Sequence, residues 1–272
     1  MSNLHTLVDA VESATSSAQL VRAVHQLATA QHEGAIPTLI ATLGYNNPGA
    51  AVAAVNGLIA LGEPSVPALL EQLDQHNYTA RAWAIRALAG IGDPRGLVTL
   101  LGAATADFAV SVRRAAAQGL GTMKWHWFPA ELLEVAQEEA LEALLFVAQQ
   151  DEEWVVRYAA VVGLQALAGA VPKEAIAWRS QIQTQLGDLI ANDSSLVVKA
   201  RACLAQQHLA DLATPAASAL TESPLTPMDW SRIIETLYER RGNERLILSE
   251  GDPRRYRELA VALTQAGQPS TP

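Results

Sequence analysis

The strongest constraint on this chain is that it repeats itself. Residues 44–73 read GYNNPGAAVAAVNGLIALGEPSVPALLEQL, and residues 74–103 read DQHNYTARAWAIRALAGIGDPRGLVTLLGA. At this offset of 30 residues, Leu58 falls on Leu88, Leu61 on Ile91, Gly62 on Gly92, and Glu63-Pro64 on Asp93-Pro94. Further copies begin at ADFAVSVRRAAAQGLGTM (106–123), DEEWVVRYAAVVGLQALA (151–168) and the degenerate NDSSLVVKARACLAQQHLAD (192–211). Each unit reads as a helix, a Gly-acid-Pro or similar turn, and a second helix. Such a hairpin cannot bury its apolar face alone, so neighbours must stack, which predicts an all-α fold: an α-solenoid of helical hairpins.

Composition agrees. Half of the residues are apolar but only 5% are aromatic, so the core must be built mainly from Ala, Leu and Val in closely packed helices. The expected layout is an N-terminal helical cap over residues 1–34 and a repeat solenoid over 35–211. A linker with a short helical C-terminal extension follows over 212–272, its helical candidates at 228–241 and 253–266.

The charge balance narrows function. With 28 acidic and 19 basic side chains the net charge is -9, a field that repels nucleic acid and anionic lipid. The first residues, MSNLHTLVDAVESA, lack the basic start and long apolar run of a signal peptide, and no apolar stretch is long enough to insert into a membrane. A lone cysteine, Cys203, excludes an intrachain disulfide and reads as a small core residue. A cytoplasmic protein is expected.

Local motifs are mostly architectural. YNNPGAAV at 45–52 lacks the glycine spacing of a phosphate loop and reads as a helix start, with Asn46 or Asn47 as N-cap and Pro48 in the first turn. Asp107 precedes Arg113 by six residues, Asp151 precedes Arg157 by six, and Asp193 precedes Lys199 by six. The acid is expected to cap the helix start while the cation reaches the acid of a neighbouring repeat. Arg81 occupies the same cation position, with Asp74 seven residues before it. No HExxH, CxxC or GxSxG motif occurs and the six histidines are scattered, so no metal site is expected.

What remains lies on one stripe. Taking Leu58, Leu88, Leu120 and Leu164 as a core row places Ala54, Ala84, Ala116 and Ala160 one turn earlier on the same face. The outward stripe is then Val52/Asn56, Ala82/Arg86, Arg114/Gln118 and Tyr158/Val162. Arg86, Arg114 and Tyr158 stand there where packing does not demand them, and Trp83 replaces the Ala found at 53, 115 and 159. Two readings stand: Trp83 fills a gap beside small neighbours with the arginines solvated, or the group contacts a ligand or partner. In the 124–145 insertion, Trp125 and Trp127 flank His126, either as a stacking platform or folded under the following helix.

The phrases DPRGLVTLL, SVRRAAAQGLG and WVVRYAAVVGLQAL resemble the HEAT-like repeats of the phycobilisome bilin lyases. LGYNNPGAAVAAVNGLIALGEPSVPALLEQLD and YTARAWAIRALAGIGDPRGL resemble the F-type subunits of heterodimeric phycocyanobilin lyases. The similarity runs from about residue 4 to about residue 210. The resemblance implies a HEAT-like solenoid that pairs with an E-type subunit and attaches phycocyanobilin, a transferred substrate rather than a permanent cofactor, to a cysteine of the phycocyanin alpha subunit. It further implies that the thiol adds to the ethylidene group of ring A, for which the enzyme mainly holds, orients and shields the bilin.

Within that frame Arg86 and Arg114 suit the bilin propionates, and Trp83, Tyr158, Trp125, Trp127 and Tyr45 suit its rings. Asp107 and Asp151 rank lower as contacts to the pyrrole N–H groups, and no catalytic residue is assigned. Isomerising relatives carry a His-Cys pair where this chain reads NNPGAA at 46–51, which implies plain attachment. The competing reading is a non-catalytic scaffold or chaperone that binds a phycobiliprotein or another assembly partner.

Overall fold

The computed structural model describes residues 2–73, 77–172 and 175–213, and no strand occurs among them. Asp74 and the helical candidates 228–241 and 253–266 lie outside the described residues. The described residues fall into two compact units, divided between Leu144 and Leu145.

The first unit contains α1 (Ser2–Glu12), α2 (Ser17–Thr29), α3 (Ile36–Leu43), α4 (Pro48–Leu61), α5 (Val66–Leu73), α6 (Tyr78–Ile91), α7 (Leu97–Ala106) and α8 (Val110–Gly121), and it receives the start of α9 (Ala130–Gln150). Helices α2, α4, α6 and α8 pack side by side in one layer, and α1, α3, α5 and α7 back onto their hairpin partners. In the second unit, α10 (Trp154–Ala170) packs on α12 (Leu196–Ala213), with α11 (Ile176–Asn192) against both. The all-α stack predicted from the repeat is the observed architecture, but its packed pairs are α3/α4, α5/α6 and α7/α8, so each Gly-acid-Pro turn joins successive hairpins rather than the two helices of one.

The core rows are where the alignment of the repeats placed them. Leu58, Leu88, Leu120 and Leu164 are buried, as are Ala54, Ala84, Ala116 and Ala160. Each fully buried Leu contributes about 1.5–3 kcal/mol, and the Ala row keeps the layer tight enough for those leucines to interdigitate. Some contacts leave no room even for a methyl group. A Cβ on Gly57 would lie 2.6 Å from the Ala28 Cβ, and one on Gly119 would lie 2.6 Å from the Ala89 Cβ.

The turns follow from their residues. Asn47 is the N-cap of α4: its side-chain oxygen accepts from Ala50 N at 3.1 Å, while its Nδ2 donates to Ser17 Oγ at 3.0 Å. Gly62 (φ +72°) and Gly92 (φ +69°) end α4 and α6 in left-handed backbone that L side chains rarely adopt. Short 3₁₀ turns at Glu63–Ser65 and Pro94–Gly96 then start the next hairpin.

The acid–cation spacing forms a ladder, with one change from expectation. Arg81 Nη2 reaches Asp107 Oδ2 at 2.5 Å, and Arg157 grips Asp193 with two bonds of 2.7 and 2.9 Å. Each cation also satisfies its own turn: Arg113 Nη1 donates to Asp107 O at 2.8 Å, Arg157 Nη1 to Asp151 O at 2.8 Å, and Lys199 Nζ to Ala191 O at 2.9 Å. The acids are not the N-caps. Asp107, Asp151 and Asp193 accept the amide two residues on, from Ala109, Glu153 and Ser195, and so close the interhelical turn just ahead of the helix. From two residues further back, Asp107 and Asp193 serve the turn amide and the neighbouring arginine at once. The pairing with Asp193 holds the Arg157 guanidinium above its usual pKa. Cys203 is half-buried rather than fully buried, and burial pushes its thiol up.

Candidate functional site

The outward stripe on the α4–α6–α8 layer is partly exposed. Its Asn56 and Gln118 are exposed, while Val52, Ala82, Arg86 and Arg114 are half-buried. Trp83, also half-buried, is engaged by its own helix, with the Arg86 guanidinium 4.6 Å from the ring centroid. Residues three apart lie on the same helical face, so the indole and the cation form one flat, positively charged element. Arg114 sits on α8, the next helix of the layer. The sequence left Trp83 open as gap-filler or contact. The half-buried ring carries the Arg86 guanidinium on its face and is neither wholly enclosed nor wholly exposed.

The other unit-one aromatics are spread along α6. Gly44 abuts Asn77 and Ala80, which puts the α3–α4 turn, and Tyr45 with it, at the N-terminal end of α6. Tyr45 is 37% exposed. The insertion loop closes on the opposite end, where Lys124 N donates to Gly92 O at 2.8 Å. The 14 residues of α6 span about 21 Å at the helical rise. Tyr45 and the insertion tryptophans therefore flank the Trp83/Arg86 pair rather than joining it.

Within the insertion the two tryptophans part company. Trp125 is buried, 7% exposed, and stacks on Phe128 with centroids 5.2 Å apart. Its indole N–H has no hydrogen-bond partner. Trp127 is 41% exposed, with Lys124 Nζ 4.0 Å from its ring centroid and His126 edge-on at 6.0 Å. Of the two tryptophans, Trp127 presents its ring to the outside, with Lys124 over one of its faces.

In the second unit, Tyr158 is half-buried on α10. The Arg201 guanidinium lies 6.0 Å from its ring centroid. Sequence reasoning missed Arg201. The signal was present, since aligning Lys199 with Arg81 puts Arg201 on the position of Trp83, but the degenerate last repeat concealed it. Asp107 and Asp151 carry the ladder turns described above, so their carboxylates are engaged in architecture.

One cleft stands apart from the stripe. Leu73, Arg81, Ile85, Val98, Gly102 and Phe108 line a volume of about 410 Å³ beside the Arg81–Asp107 rung. Val98 and Phe108 are exposed there. Among the described residues no group of His, Cys, Asp and Glu could hold a metal ion, and no helix is long and apolar enough to cross a membrane.

Stacked helical hairpins tied by Asp–Arg rungs define a HEAT-repeat protein, and the HEAT repeats family matches residues 4–89 and 66–168. The phycocyanobilin lyase subunit beta of Pseudanabaena tenuis is 60% identical over 275 residues, spanning 96% of this chain and 98% of the relative. The phycocyanobilin lyase subunit beta of Nostoc sp. is 50% identical over 202 residues, 74% of this chain and 98% of the relative. A solved structure, the complex of CpcE and CpcF of phycocyanin lyase from Nostoc sp., is similar with a TM-score of 0.59 and 51% identity, covering 64% of this chain and 99% of that chain. This chain belongs to the phycocyanobilin lyase subunit beta family. The Pseudanabaena alignment extends beyond residue 210, where the resemblance read from the sequence ends.

Proposed function

We infer that this chain is the F-type subunit of a heterodimeric bilin lyase, which with an E-type partner attaches phycocyanobilin to a cysteine of the phycocyanin alpha subunit. The geometric observation that carries this reading is the Trp83/Arg86 pair, an aromatic face and a guanidinium held 4.6 Å apart at a position where packing asks only for Ala. A bilin offers matching chemistry: a conjugated tetrapyrrole that stacks on aromatic faces and two propionates that arginine binds through paired hydrogen bonds.

In this assignment Arg86 and Arg114 take the propionates and Trp83 takes a ring. Tyr45 and Trp127 contact the bilin from either end of α6, and Tyr158, at the equivalent repeat position of the second unit, is a bilin contact in its own right. Trp125, buried against Phe128, is assigned to the core rather than to the substrate. Bond formation is an addition: the acceptor sulfur bonds to the ethylidene carbon of ring A, the thiol proton ends on the bilin, and nothing is released. The enzyme supplies orientation and exclusion of water, for which fixed rings and cations suffice. Phycocyanobilin leaves on the acceptor and is therefore substrate, not resident cofactor. We place the protein in the cytoplasm, where a lone cysteine stays reduced.

The test is reconstitution. This chain, an E-type subunit, apo-phycocyanin alpha subunit and phycocyanobilin are combined, and covalent colour is followed on a denaturing gel. Colour forms faster with both subunits present than with either alone. Equal colour without this chain overturns the lyase reading and favours a scaffold.

A further inference from the structure

The second unit contains a side-chain network that none of the above uses. Arg201, 6% exposed, donates from Nη1 to Gln165 Oε1 at 2.7 Å, and Gln165 Nε2 lies 2.7 Å from His208 Nδ1. Arginine carries only donors, so the amide oxygen of Gln165 must face it and the amide nitrogen must face His208. His208 Nδ1 then accepts, and the amide is fixed from both sides. The same guanidinium stands 6.0 Å from the Tyr158 centroid.

Its position in the repeat gives the network meaning. The equivalent residues are Ala53, Trp83, Ala115, Ala159 and Arg201. Three are the Ala that tight packing prefers, and the two large exceptions each belong to an aromatic–guanidinium pair. In the first unit the ring is Trp83 and the cation is Arg86, on one helix. In the second the cation is Arg201 on α12 and the ring is Tyr158 on α10. A long, flexible cation costs rotamer entropy to hold in place, and two further side chains are committed here to holding it.

We propose that Arg201 is a positioning residue for bilin handling: its guanidinium, oriented by Gln165 and His208, fixes the Tyr158 ring as a second flat platform. It acts through Tyr158 and does not touch the substrate. This rests on the reading that Tyr158 contacts the bilin.

The test uses the reconstituted heterodimer with phycocyanobilin, read by the visible circular dichroism of the bound bilin and by the KM and kcat of attachment. Arg201→Met raises KM for the bilin about fivefold, the effect of releasing one ordered aromatic ring from its cation, and diminishes the bilin dichroism while kcat holds. Arg201→Lys restores part of both, and Gln165→Met, which leaves the arginine in place but untied, gives an intermediate result. In a Tyr158→Leu background Arg201→Met adds nothing further. If Tyr158→Leu impairs uptake while Arg201→Met and Gln165→Met leave KM and dichroism unchanged, the positioning role is overturned and the bilin contact stands. If Tyr158→Leu is itself silent, the contact and the positioning role both fall.

Discussion

Replacing Gly119 by Ala probes the packing that holds Arg86 and Arg114 on adjoining helices. The added Cβ would stand 2.6 Å from the Ala89 Cβ, 2.8 Å from its Cα and 3.2 Å from its carbonyl oxygen. Carbon pairs settle near 3.5–4.0 Å, and two of the three obstacles are backbone, so α6 and α8 must part by about 1 Å. Overpacking of this kind costs about 2–3 kcal/mol, and the better helix propensity of Ala returns about 1 kcal/mol. A net loss of about 1–2 kcal/mol follows. Gly102 on α7 is the control, because nothing lies within 4 Å of its added Cβ. Gly102→Ala gains only the propensity term, up to about 1 kcal/mol. Urea unfolding followed by far-ultraviolet circular dichroism separates the two variants by about 2–3 kcal/mol, and bilin uptake falls only in Gly119→Ala. A Gly119→Ala protein as stable as the parent refutes the tight α6–α8 packing.

Three other outcomes are expected. Asp193→Asn leaves the Arg157 guanidinium buried without its charge partner and costs about 3–5 kcal/mol in the same unfolding assay. The buried Asp93 carboxyl is held below the usual carboxylate range, first by its hydrogen bond from Arg95. Because the folded value lies below the unfolded one, its contribution is complete above about pH 4 and drains away as the pH falls through the folded value. Unfolding measured across acid pH shows a shallower decline in Asp93→Asn. Trp125→Ala opens a core void costing about 3–5 kcal/mol, whereas Trp127→Ala changes stability by less than about 1 kcal/mol but slows bilin attachment in the reconstituted assay.

Much of the fold was legible because repetition makes position informative. Leu58, Leu88, Leu120 and Leu164 could be aligned with each other, so the core face and the outward stripe followed from helical geometry alone. The Arg157–Asp193 rung was readable for the same reason, since the six-residue spacing recurs. The capping role was misread because a helix-start acid and an acid two residues earlier look alike in sequence, and only the backbone distinguishes them. The insertion had no repeat to compare with, so the burial of Trp125 and the exposure of Trp127 were not separable there. Arg201 was hidden differently: its partner Gln165 is 36 residues away, in a neighbouring repeat whose register the degenerate last copy obscures. The cleft beside Phe108 left no trace in the sequence, because it arises from where α5, α6 and α7 fail to fill space.

Binding of the propionates by Arg86 and Arg114 is tested most directly by one comparison. Binding of phycocyanobilin and of its dimethyl ester to the reconstituted heterodimer is titrated by visible absorption, for the parent chain and for Arg86→Ala/Arg114→Ala. The parent is expected to prefer the diacid by about tenfold or more, the worth of charge-assisted hydrogen bonds, and the double variant to bind acid and ester alike. A parent that does not distinguish them, or a double variant that keeps the preference, contradicts propionate binding by the two arginines.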